Sequence, residues 1–89
     1  MNKKQRKTLD AIFHDPVKSN IAWRDIESLF SGLGAEISEG NGSRVRVRIG
    51  ERLATFHRPH PQKETVKGAV KSVRRFLLDV GVFPDMDDE

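Results

Sequence analysis

The chain has 89 residues, of which 16 are basic, 13 acidic and none cysteine. That length holds one modest core and excludes a second domain, and the missing thiols exclude disulfides and thiolate metal sites. The formal charge of +3 understates the basic character: with the four acids of residues 85–89 set aside, 16 basic residues face 9 acidic ones, a balance of +7. A cationic body of this kind attracts phosphate backbones.

The first residues, Met1 to Lys7, are basic, and no apolar run follows them. No signal peptide and no bilayer-spanning segment is expected, and a reducing cytoplasm fits the composition. Lys3 to Phe13 reads as a short helix with Leu9, Ile12 and Phe13 on one face, ended by the turn signal Asp15-Pro16. His14, at that helix end, reads as a surface residue. Helical spacing returns at Trp23, with Ile26, Leu29, Phe30 and Leu33 on one side. Gly34 is placed to close this second helix in the left-handed conformation. Asn20 is the natural cap residue at its start but lies slightly early. Trp23 invites base stacking, yet a sole tryptophan at a helix start reads better as a packing residue.

Ala35 to Glu39 alternates and reads as a strand, and Gly40-Asn41-Gly42 as a turn. Ser43 to Ile49 alternates strictly, so Val45, Val47 and Ile49 face one way and Arg44, Arg46 and Arg48 the other. Gly50-Glu51 fits a two-residue hairpin loop leading to a third strand, Arg52 to His57. With Ala54 and Phe56 pointing inward, Leu53, Thr55 and His57 share the arginine face. Glu64 to Val80 reads as a long amphipathic helix with the apolar stripe Val66, Ala69, Val70, Val73, Leu77 and Val80. Lys63, Lys67, Lys71 and Arg74 follow one side of it. Gly81 and Pro84 stop it. The expected architecture is an α+β two-layer sandwich: one domain over 1–84, with an extra N-terminal helix at about 3–14, a core over about 21–82, and an acidic, disordered tail at 85–89.

The candidate chemistry centres on Phe56-His57-Arg58-Pro59-His60-Pro61, which holds two of the three histidines between the arginine-bearing strands and the basic helix. Histidine is the side chain suited to proton transfer near neutral pH, and the prolines stiffen the connection. Two histidines beside a cationic surface fit proton transfer on a bound polyanion such as RNA. A rigid strand-to-helix linker with solvated imidazoles is the alternative, and for His60 a structural role ahead of the helix fits at least as well. The row Arg44, Arg46, Arg48 is a phosphate-binding candidate, because like charges along one strand face repel in the absence of an anion. Lys63 and Lys67 extend that track. His57 and His60 lack a clustered carboxylate or thiolate partner, so neither a metal nor another cofactor is expected.

Leu29-Phe30, Gly34, Gly42-Ser43, His60, Lys63-Glu64 and Gly68 occur in an order and spacing that resembles the HicA family of bacterial toxins, over Trp23 to Val82. The resemblance implies a fold like a double-stranded-RNA-binding domain with an α-β-β-β-α core. It implies a metal-independent endoribonuclease that cleaves mRNA as the toxin of a type II toxin-antitoxin system, held inactive by a HicB-like antitoxin. The family's catalytic histidine follows the Gly-Ser pair, and here Arg44 stands in that place. His57 or His60 then becomes the proton-transfer candidate, with Arg44 stabilising charge on phosphorus. A non-catalytic RNA-binding module on the same fold, or an antitoxin-docking protein that has lost the reaction, remains open at the level of sequence.

Overall fold

The computed structural model describes residues 1–60 and 62–84. The elements run α1 (Lys3–Ile12), β1 (Ile21–Ala22), α2 (Trp23–Gly32), β2 (Glu36–Glu39), β3 (Arg44–Ile49), β4 (Arg52–His57), β5 (Glu64–Thr65) and α3 (Lys67–Asp79). From α2 to α3 this is the expected α+β order, with a three-stranded antiparallel meander β2-β3-β4 and the extra helix α1 ahead of it. No helix among the described residues is long and apolar enough to cross a membrane.

Three element ends have a local cause. Asn2 and Gln5 close a reciprocal capping box on α1: the Asn2 side chain accepts from the Gln5 N–H, and the Gln5 side chain accepts from the Asn2 N–H. Gly34 follows the last turn of α2 with φ of 82°, and the Ala35 N–H donates to the Phe30 carbonyl across it. Glycine takes that conformation without the Cβ penalty other residues meet. Gly50 opens the β3–β4 hairpin with φ of 61° and Glu51 keeps a negative φ, as in a type II′ turn.

The core lies between the meander and the helices. Val45, Val47 and Phe56 from the sheet meet Ile26, Leu29 and Phe30 from α2 and Val70, Val73, Phe76 and Leu77 from α3, all buried. Four aromatic rings form its centre: Phe56 stacks on Phe30 with centroids 5.7 Å apart and touches Trp23 and Phe76 at 5.8 and 6.0 Å. Such pairs add to the area they bury and fix relative orientation. Phe56 immediately precedes His57, so the end of β4 is anchored in this aromatic cluster. Trp23 is buried, as the packing reading expects.

The last helix differs from the sequence reading. It starts at Lys67, not Glu64, because Glu64 and Thr65 pair antiparallel with Ala22 and Ile21 in a two-stranded ribbon. Val66 is therefore a cap residue and exposed, not part of the apolar stripe, and Phe76 takes a core place instead. Lys63 leaves the helical basic stripe altogether; its carbonyl accepts the Trp23 N–H at 3.0 Å. Arg74 leaves it too. Its guanidinium donates to the carbonyls of Ile12 (Nε, 3.0 Å; Nη2, 2.8 Å) and His14 (2.9 Å) and pairs with Asp15 at 3.3 Å. Arg74 thus satisfies the carbonyls at the end of α1 and ties that helix to α3. The 85–89 tail and Pro61 lie outside the described residues.

Candidate nucleic-acid interface

The strand register decides which side chains share the open face of the sheet. Arg44 lies opposite His57, Arg46 opposite Thr55 and Arg48 opposite Leu53. On the other side, Ser38 lies opposite Arg46 and Glu36 opposite Arg48. All three arginines, with Leu53, Thr55 and His57, are exposed on this face, as the alternation predicts. Directly opposed residues of an antiparallel pair carry Cβ atoms about 4.5–5.5 Å apart, so the Arg44 and His57 side chains rise from adjacent points.

The row is not uniform. Arg48 forms an ion pair with Glu36, so its charge is met within the protein. Arg44 and Arg46 have no carboxylate partner among the described residues. The uncompensated charge therefore lies toward the His57 end of the sheet.

At that end the chain turns from β4 toward α3 and leaves a groove of about 470 Å³. His57 and His60 both line it, with Thr65, Gly68 and Ser72 on the α3 side. The structure thus brings the two candidate histidines to one concavity and sets Arg44 beside the first of them. A second groove, of about 440 Å³, is lined by Trp23, Arg24, Arg58, Pro59 and Lys63. Lys63 belongs to this second groove, while Lys67 stands exposed on the first turn of α3. No cluster of three or more His, Asp or Glu side chains able to hold a metal ion occurs among the described residues.

Arg58 is the residue of this region that pattern reading missed. It follows His57, the last residue of β4, and precedes His60, and its side chain is two-thirds buried. Its Nε and Nη2 donate to the two carboxylate oxygens of Glu27 at 2.6 and 3.3 Å, and its Nη1 donates to Glu39 at 2.6 Å. The Trp23 indole N–H donates to the same Glu27 carboxylate. The hydrogen bonds to Glu27 and then Glu39 push the guanidinium pKa up, and the hydrogen bond from Arg58 holds the Glu39 carboxyl below the usual range. Forked hydrogen bonds of this kind fix direction as well as distance. Arg58 therefore fastens the connection after β4 to both α2 and β2. Only its place between two histidines hinted at this, because Glu27 and Glu39 are remote in sequence.

A family model described as the HicA toxin of bacterial toxin-antitoxin matches residues 23–82. No curated protein and no solved structure matches the chain. The matched span covers two-thirds of the chain and runs from the first residue of α2 past the end of α3, so it contains the sheet, the arginine row and the histidine groove. The chain belongs to the HicA family of bacterial toxins.

Proposed function

We propose that this protein is a metal-independent endoribonuclease that cleaves mRNA in the cytoplasm, as the toxin of a toxin-antitoxin pair with a HicB-like antitoxin. The observation that carries the reading is the pairing of Arg44 with His57 at the open end of the sheet, beside a groove that also holds His60. The reaction needs a base for the ribose 2′-hydroxyl proton, cationic donors for the charge growing on the non-bridging oxygens, and an acid for the leaving 5′-oxygen. The bond from the 2′-oxygen to phosphorus forms as the bond from phosphorus to the 5′-oxygen breaks, leaving a cyclic phosphate and a free 5′-hydroxyl.

His57 and His60 take the proton-transfer roles, a contribution on the order of 10²–10⁴-fold for a positioned group. Arg44 stabilises the charge on phosphorus, and fixed donors aimed at developing charge are a large term in such catalysis. Arg46 and Lys67 bind the backbone on either side, with Arg48 and Lys63 at the margins. The domain that does this spans 1–84. Digestion of purified RNA with EDTA present tests the reading: the wild type cleaves, and His57→Ala and His60→Ala are slowed. Equal rates for all three proteins remove both histidines from the mechanism.

One observation favours a second reading. Arg44 occupies the place after Gly42-Ser43 where the family resemblance puts a catalytic histidine. A non-catalytic RNA-binding module would keep the arginine row and the fold without the reaction. It binds RNA with the same salt dependence and yields no cyclic phosphate.

A further inference from the structure

We propose that the first turn of α3 and the Thr65 hydroxyl form a phosphate-binding subsite on the floor of the histidine groove. The phosphate is one of the RNA chain, neighbouring the phosphate held at Arg44 and His57. This assignment to RNA rests on the nuclease reading; the anion site itself does not.

Two independent features meet there. The first is the helix end. The initial N–H groups of an α-helix have no intrahelical partner and form the positive end of its dipole. On α3 the cap residue is Val66, which supplies no side-chain hydrogen bond, and no acid stands in the first turn. Lys67 occupies the first helical position, adding positive charge where a carboxylate would normally help. The 13-residue helix thus presents unopposed donors at its start, an arrangement that suits an anion.

The second feature is Thr65. It is 1% exposed, it lines the groove, and its Oγ1 has no hydrogen-bond partner among the described residues. A buried hydroxyl without a partner costs stability. Thr65 stands one residue before the cap, where an apolar side chain packs against the fourth helical residue, here Val70. Valine would serve that packing with the same shape and no orphan hydroxyl. The threonine methyl meets the packing need, and the unpartnered hydroxyl belongs to a residue that lines the groove.

Gly68 points the same way. It lines the groove in the first turn of α3, and a Cβ built on it meets nothing within 4 Å. Packing therefore does not demand glycine there, and glycine in a helix costs stability relative to alanine. Its lack of a side chain leaves the backbone open to close approach by an oxyanion. Threonine at 65 and glycine at 68 each cost stability in the free protein, and one bound phosphate accounts for both.

The test is a titration of the full-length, nitrogen-15-labelled protein with inorganic phosphate, at constant ionic strength, read at the backbone amides. Saturable shifts are expected at Lys67, Gly68 and Ala69. Thr65→Val is expected to weaken phosphate binding roughly ten- to a hundred-fold, as for loss of a hydrogen bond to a charged group, with no fall in Tm. Thr65→Ser restores the hydroxyl and the affinity, and Gly68→Ala weakens binding while raising Tm. Shifts that do not saturate, or affinities unchanged in both Thr65→Val and Gly68→Ala, overturn the site. A fully 2′-O-methylated RNA oligonucleotide, which cannot be cleaved through its 2′-oxygen, is expected to displace phosphate from these amides. Phosphate binding without that competition overturns the assignment to RNA. Phosphate and oligonucleotide binding in a protein that cleaves no RNA counts against the nuclease reading alone.

Discussion

Arg44 and Arg48 lie on one strand and one face of the sheet, yet they stand in different chemical settings. Arg48 is ion-paired with Glu36 and faces the exposed Leu53 across β4. Arg44 faces His57, has no carboxylate among the described residues, and adjoins the groove lined by both histidines. An exposed ion pair contributes about 0–1 kcal/mol to stability, so the Glu36 contact matters less for folding than for charge: it leaves one arginine of the row neutralised within the protein. A run of like residues is therefore not a site by itself. The proposed site is the end where charge is left unmet beside two histidines.

The sharpest way to break this contrast is catalytic. His57→Ala is expected to lower kcat/KM for RNA cleavage by on the order of 10²–10⁴-fold, while Leu53→Ala, at the far end of the same face, changes it by less than about twofold. Comparable losses in the two variants would mean that the reaction is not localised at the Arg44 end. Binding gives the next largest effect. The slope of log affinity against log salt for a single-stranded RNA is expected to become shallower by about 0.7 in Arg44→Ala, one phosphate contact's worth, and by less in Arg48→Ala. Glu36→Gln frees Arg48 and is expected to tighten RNA binding. If Arg48→Ala and Arg44→Ala change the slope equally, the Glu36 pair is not neutralising the row.

A smaller effect concerns the strut behind the site. Arg58→Met removes hydrogen bonds to Glu27 and Glu39, and a loss of about 1–2 kcal/mol in stability is expected, with a fall in Tm of roughly 4–16 °C. The bulk of the fall comes from Glu27, which keeps only the Trp23 indole as partner among the described residues. The smallest effect is a pH dependence. The folded-state pKa of Glu39 is lowered by Arg58, so its contribution to stability is present above the ordinary glutamate value of 4.5 and is lost as pH falls below it. Glu39→Gln is expected to flatten that part of the acid-unfolding curve, and identical acid-unfolding curves for the two proteins would show that Arg58 does not hold the carboxylate in solution.

The sequence by itself determined the strand order, the alternation that puts Arg44, Arg46 and Arg48 on one face with His57, the glycine-closed end of α2, and the hairpin at Gly50. These are properties of neighbouring residues: period two in a strand and a left-handed turn at glycine follow from backbone geometry, whatever the rest of the chain does. It also carried the order of small motifs that placed the chain near the HicA toxins.

Only the tertiary structure decided the rest. A two-residue strand has no periodicity to read, so the ribbon of Ile21–Ala22 with Glu64–Thr65 was invisible, and with it the late start of α3 and the removal of Lys63 from the helix. Arg58 and Arg74 look in sequence like members of a basic surface. Each is instead turned onto acceptors contributed by distant segments: Glu27 and Glu39 for one, the end of α1 for the other. A charged side chain's role depends on which partner comes within hydrogen-bonding distance, and that distance is set by packing, because direct contacts between residues remote in the chain exist only once the core has formed.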